Sequence, residues 1–121
     1  MEIINLEGQE DTPKVVLDKD NGIFEISGRS LPEDVSTFYS PVLNWLDKYA
    51  AAPNPETSFT FKLEYFNTAS SKLILDILSK LEAVGGAKVL WYYHEDDEDM
   101  EEAGKEFSDI VDGVPFDFKT Y

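Results

Sequence analysis

Hydrophobic and polar side chains alternate from Ser58 to Tyr65 and then follow a helical period from Leu73 to Leu81. A period of two is typical of a strand that buries one face, and apolar residues three and four positions apart indicate an amphipathic helix. The segment therefore predicts a strand, a polar turn over residues 67–71, and a helix that stops at Gly85-Gly86.

The same two patterns predict the other elements of the chain. A β-hairpin is expected from 14–18 and 23–27 around Asn21-Gly22, because Asn-Gly favours tight turns. Further elements are predicted at about 35–51 (helix), 88–93 (strand), about 95–111 (helix) and 114–118 (strand). Residues 3–6 could form a short edge strand, but chain termini fray, so this strand is not counted in the order of elements. Pro41 falls inside the first helix, where a proline is expected to kink or restart it.

This order of elements predicts one α/β domain over residues 1–121. Strand–helix–strand units lay neighbouring strands parallel, whereas the hairpin adds an antiparallel pair. We expect a mixed sheet of four to five strands opened by the hairpin. Because only one side of residues 58–65 is apolar, the three helices are expected mainly on one face.

The charge of the chain limits the choice of partner. The 121 residues carry 25 acidic and 10 basic side chains, for a formal net charge of −15. Such a field repels phosphate backbones and anionic lipids, so neither nucleic acid nor a membrane is an expected partner. It would attract a basic protein surface, although solubility alone is an equally good explanation. Without cysteine, a signal peptide or a long apolar run, the sequence predicts a cytoplasmic protein.

Motifs that carry catalysis or hold cofactors are absent. The sequence has no Gly-x-Ser-x-Gly elbow, Walker loop or Gly-rich dinucleotide turn. The acidic run at 95–102 lacks the spacing and the glycine of a calcium loop, so we expect no metal and no cofactor. An enzyme that pairs the single histidine, His94, with Asp76 or Glu64 remains a weak alternative to a non-enzyme.

The turn at residues 67–71 allows two interpretations. Asn67 tolerates left-handed backbone, and Thr68 stands where an N-cap hydroxyl would face the first helical amides. The turn also carries the hydroxyls of Thr68, Ser70 and Ser71 to the carboxyl edge of the sheet, where sites in open α/β folds concentrate. A small-ligand module is an alternative, with Tyr65, Trp91 and Tyr92 lining an apolar pocket at that edge.

The segment LEYFNTASSK at 63–72 resembles the SiaC-type regulatory phosphoproteins, a bacterial family similar to the STAS domains of anti-sigma-factor antagonists. Thr12-Pro13, the GRSLPE segment at 28–33, and Trp91-Tyr92-Tyr93 followed by acidic residues carry the likeness through nearly the whole chain. The resemblance implies a STAS-like fold and makes Thr68 the phosphoacceptor. The turn keeps only the outline of the Asp-Ser-Ser-Gly-type turn of the antagonists, so Ser70 and Ser71 are minor candidates.

The resemblance also implies a partner-switching pathway. A serine/threonine kinase would phosphorylate Thr68 and a PP2C-type phosphatase would reverse it. The unphosphorylated form would bind and regulate an output protein, such as a diguanylate cyclase. The expected partner-binding residues are Asn67, Thr68, Ser70, Ser71 and Lys72.

Overall fold

The computed structural model describes all residues from Met1 to Tyr121. Its strands are β1 (Ile4–Leu6), β2 (Lys14–Asp18), β3 (Ile23–Ser30), β4 (Thr57–Phe66), β5 (Ala87–Tyr93) and β6 (Phe116–Thr120). Its helices are α1 (Val35–Ala51), α2 (Thr68–Glu82) and α3 (Glu98–Ile110). None of the three is long and apolar enough to cross a membrane.

The strands form a single mixed sheet in the order in which they occur along the chain. β1, β2 and β3 pair antiparallel, and β3 to β6 pair parallel. The predicted α/β class, the mixed sheet and the three helices are confirmed. The expected strand number of four to five is wrong, because β1 pairs with β2 and completes a sheet of six strands.

All three helices cover the same face of the sheet. The inward side chains of the strands include Phe24, Ile26, Phe59, Phe61 and Trp91, all of which are buried. α1 places Trp45 and Tyr49 against Phe24, while α3 places Phe107 against Trp91. Burial of these large rings stabilises the packing of α1 and α3 on the sheet, because each removes a large apolar area from water. α2 packs instead through the aliphatic side chains of Ile74, Ile77, Leu78 and Leu81.

Pro41 does not interrupt the first helix, contrary to the alternative in which the helix restarts there. α1 runs continuously from Val35 to Ala51 with Pro41 inside it. The helix begins at Asp34, whose side chain accepts a hydrogen bond from the Thr37 amide (3.1 Å). Buried residues on both sides of the proline, Tyr39 and Val42 among them, anchor the helix to the core and compensate the lost backbone hydrogen bond.

A β-bulge interrupts the pairing of β3 with β4 near their carboxyl ends. Gly28 pairs with Leu63, but the next residue, Arg29, pairs with Tyr65, so Glu64 is the extra residue. An extra residue reverses which side chains face each side of a strand. Leu63 is therefore buried, whereas Tyr65 is 50% exposed on the uncovered face.

Candidate functional site

The turn between β4 and α2 is built by Asn67, which is the N-cap of α2. Asn67 has an extended backbone (φ −86°, ψ 172°), and its side-chain oxygen accepts a hydrogen bond from the Ser70 amide (2.8 Å). The sequence had suggested Thr68 for this role, and that suggestion is wrong. The amide side chain of Asn67 caps the helix, so the hydroxyl of Thr68 is not needed for capping.

Thr68 is the first helical residue of α2 and is exposed to solvent. The first turn of α2 contains no acidic side chain. By contrast, the first turn of α3 contains Glu98, Asp99 and Glu101, which already occupy the positive end of its dipole. Thr68 therefore stands at a helix N-terminus that has no resident negative charge.

Ser70 lies in the interior. Its hydroxyl donates to the Ser30 carbonyl and accepts from the Ser30 hydroxyl, both at 3.0 Å, and the Ser30 hydroxyl in turn bonds the hydroxyl of Tyr39. All three side chains are buried, and burial raises the pKa of Tyr39, with a smaller opposing effect of the Ser30 hydrogen bond. The expectation that Ser70 contacts a partner directly is therefore corrected. Ser70 instead ties the start of α2 to β3 and α1.

Ser71 and Lys72 have different surroundings from Ser70. Ser71 is half-buried and donates its hydroxyl hydrogen to the Thr68 carbonyl (2.7 Å), while Lys72 is exposed one helical turn after Thr68. Both side chains, with Asn67 and Thr68, border a groove that separates α2 from α3. The structure thus brings four of the five predicted partner-binding residues to one surface.

This groove between α2 and α3 has a volume of about 470 Å³ and a mostly apolar floor. Its apolar residues come from β4 and both helices: Phe66, Leu75, Ala103, Phe107 and Ile110. Ile110, at one end of the groove, is 60% exposed. Lys72 and Glu106 are its only charged residues. The groove is a candidate docking surface because it joins apolar area to the proposed modification site.

The residues of the alternative enzyme are only partly brought together. Asp76 lies on α2 beside a groove towards α1, whereas His94 and Glu64 border a cavity on the opposite, uncovered face of the sheet. The His94 ring is exposed and its Nδ1 accepts from the Asp96 amide (3.3 Å). No three His, Asp or Glu side chains converge in a way that would hold a metal ion.

The apolar pocket of the small-ligand alternative does not form. Trp91 is fully buried against α3 and donates its indole hydrogen to the Met100 carbonyl (3.0 Å). Tyr65 lies on the uncovered face of the sheet, so the two rings are on opposite sides. A polar cavity on that face was missed, because its residues come from segments that are distant in the sequence.

The chain matches the family model described as SiaC family regulatory phosphoprotein over residues 6–121. It is 30% identical over 111 residues to an uncharacterised protein of Pseudomonas aeruginosa strain UCBPP-PA14. The aligned region covers 88% of this chain and 88% of that protein.

Two solved structures from Pseudomonas aeruginosa have the same fold. Apo-SiaC is 26% identical and superposes with a TM-score of 0.89 over 99% of this chain and 100% of its own. The second is SiaC in complex with the diguanylate cyclase SiaD, of which that SiaC is the activator. The matching chain is 26% identical and superposes with a TM-score of 0.89 over 98% of this chain and 99% of its own.

Proposed function

The chain belongs to the SiaC family of regulatory phosphoproteins, and from that premise we propose that it switches an output protein through phosphorylation of Thr68. In this proposal a serine/threonine kinase adds the phosphate and a PP2C-type phosphatase removes it. The unphosphorylated form binds a diguanylate cyclase and raises its activity. The observation that carries it is the position of Thr68, exposed at the first turn of α2 and at the rim of the apolar groove.

The start of α2 is suited to a phosphate group. Phosphorylation adds about 1.5–2 negative charges and three acceptor oxygens. At a helix N-terminus the dipole favours such a charge by about 0.3–1 kcal/mol, and Lys72 lies four residues further on the same side of α2. Since Asn67 rather than Thr68 caps the helix, the modification leaves the cap hydrogen bond intact. Phosphorylation should therefore leave the domain folded.

The same phosphate would oppose binding in the groove. A partner seated between α2 and α3 would cover Thr68, and burying an unpaired anion costs on the order of several kcal/mol. Glu106, across the groove on α3, would add like-charge repulsion. Because about 1.4 kcal/mol changes an affinity tenfold, this local cost is enough for a switch without a conformational change.

Thr68 variants in the native cells test the proposal. Thr68→Ala should abolish phosphate on the peptide around Thr68 and keep cyclase output high. Thr68→Glu should weaken binding of the cyclase by about tenfold or more and lower its output. Phosphopeptide mass spectrometry and the cellular level of cyclic diguanylate measure the two effects.

Ser79→Glu is the matched control, because Ser79 is exposed on the same helix but far from the groove beside Thr68. It should leave both readouts at the wild-type level. Phosphate that persists on this peptide in Thr68→Ala, or wild-type output in Thr68→Glu, would show that Thr68 is not the switch.

A further inference from the structure

A second cavity lies on the uncovered face of the sheet, at the carboxyl ends of β3 and β4. Its volume is about 830 Å³, larger than the groove beside Thr68. The floor is formed by Lys14, Ser27 and Lys62, which stand side by side because the register pairs Lys14 with Ser27 and Ser27 with Lys62. Ligands of open α/β sheets bind at this edge, beyond the carboxyl ends of the strands.

Three cationic side chains in this cavity have no carboxylate partner. The chain has 25 acidic residues and four ion pairs. None of these ion pairs includes Lys14, Arg29 or Lys62. The Arg29 guanidinium lies 6.0 Å from the centre of the Tyr65 ring instead. The Lys62 ammonium lies 4.5 Å from the centre of the Tyr121 ring. Aromatic faces hold these cations in place but leave their charge available to an anion.

Carboxylates line the same cavity and restrict the class of ligand. Glu25, Glu64 and Asp97 border it together with the three cations. Tyr121 lines the cavity with them, and burial raises its pKa, with a further contribution from the negative charges of Glu64 and Asp97. A bare anion would be repelled by these groups. The ligand must therefore carry hydrogen-bond donors as well as negative charge.

We propose that this cavity binds a nucleotide. Its phosphates would contact Lys14, Arg29 and Lys62, which match phosphate oxygens in charge and hydrogen-bond donors. The hydroxyls of the sugar or the N–H groups of the base would donate to the carboxylates, and the ring of Tyr121 offers a surface for the base. A nucleotide combines these three chemistries in one molecule, which explains why both signs of charge line one cavity.

The β-bulge at Glu64 shapes this site. Without the extra residue, Tyr65 would continue the buried series of Phe59, Phe61 and Leu63 and face the core. The bulge instead turns Tyr65 to the uncovered face, where its ring supports Arg29. Bulges are frequent beside binding sites because they redirect a side chain without breaking the sheet. The cavity is separate from the groove beside Thr68, because Thr68 is the first residue of α2 and none of the residues that line the cavity comes from that helix.

Calorimetric titration of the purified protein with GTP, ATP and sodium phosphate, each to millimolar concentration, tests the proposal. At least one nucleotide should bind, and inorganic phosphate should bind at least about tenfold more weakly because it lacks the donors. Arg29→Gln and Lys62→Gln should each weaken nucleotide binding by about tenfold or more. The preference between GTP and ATP identifies the base.

Lys48→Gln is the matched control, since Lys48 is an exposed cation on α1 outside the cavity. It should bind nucleotide as the wild type does, and circular dichroism should show all three variants folded. Failure of both nucleotides to bind would overturn the proposal. So would unchanged binding in Arg29→Gln and Lys62→Gln, or phosphate binding as tight as nucleotide binding, which would indicate an anion site only.

Discussion

Ser70 and Ser71 are neighbours in the sequence, but the fold gives their hydroxyl groups different surroundings. At the scale of single residues, Ser70 therefore has a structural role, whereas Ser71 lies at the surface beside Thr68. Ser70 shares a buried hydroxyl chain with Ser30 and Tyr39, whereas Ser71 bonds only the carbonyl of Thr68 at the surface of α2. Removing one member of a buried chain leaves another polar group without its partner, which is costly.

Ser70→Ala should therefore lower the free energy of unfolding by about 1–3 kcal/mol. Ser71→Ala, the control, should lower it by less than about 0.5 kcal/mol because water replaces its hydrogen bond. Urea denaturation measures both values. Equal effects of the two substitutions would contradict a special role of the buried chain.

At the scale of helices and strands, two residues make contributions to stability that can be tested: Asp34 at the start of α1 and Gly104 on α3. The start of α1 depends on the Asp34 carboxylate. The Thr37 amide hydrogen bond lowers the pKa of Asp34 below its usual value of 3.8. A lowered pKa means that the folded state binds the proton less readily than the unfolded state. The stability that this group contributes is present above pH 3.8 and is lost as the pH falls through the lower folded value.

Asp34→Asn tests this pH dependence. Asparagine caps a helix as well as aspartate does, but it does not titrate. The difference in unfolding free energy between wild type and Asp34→Asn should be constant above pH 5 and shift in favour of the variant below pH 3.8. Urea denaturation at a series of pH values measures it, and a difference that does not change with pH would refute the assignment.

The contact of α3 with the sheet depends on Gly104. A Cβ atom at this position would lie 2.5 Å from the Trp91 ring and 2.9 Å from the Phe118 ring. Gly104→Ala should therefore lower the free energy of unfolding by about 1–3 kcal/mol and change the fluorescence of Trp91, which contacts α3.

Gly85→Ala is the control for Gly104→Ala, because its Cβ would meet nothing within 4 Å. It should be neutral or stabilise by about 0.4–1 kcal/mol through the entropy of the unfolded chain. If Gly104→Ala left the free energy of unfolding unchanged, α3 would be able to move away from the sheet at little cost.

At the scale of the whole molecule, charge is distributed unevenly over the two sides of the sheet. The uncovered face carries half of the ten basic residues of the chain: Lys14, Arg29, Lys62, Lys88 and Lys119. Among the strand residues that face this side, only four are acidic: Asp18, Glu25, Glu64 and Asp117. The net charge of −15 is therefore concentrated on the helices and loops, where like charges repel one another.

Salt should stabilise the protein by screening this repulsion. The Debye length falls from about 30 Å at 0.01 M salt to about 10 Å at 0.1 M, so the melting temperature should rise over this range. A variant that neutralises three exposed carboxylates of α3 (Glu102→Gln, Glu106→Gln and Asp109→Asn) should show a smaller rise. A melting temperature independent of salt would contradict self-repulsion.

Most of the fold follows from local patterns, and part of the candidate site does too. The alternation of residues 58–65 predicted both the strand and the coverage of one face, because an apolar side must be buried. The resemblance at 63–72 indicated Thr68, which the structure places at the surface. The exact cap and the buried state of Ser70 could not be predicted, because both depend on how α2 meets β3 and α1.

The sequence by itself determined the order and type of the elements, the acidic character of the molecule and the hydroxyl-rich turn before α2. These follow from the backbone periods and from composition, which act over a few residues. Only the tertiary structure decided that Ser70 faces inward, that the bulge at Glu64 turns Tyr65 outward, and that Lys14, Arg29 and Lys62 share one cavity. Such placements depend on strand register and helix packing, which bring together residues far apart along the chain.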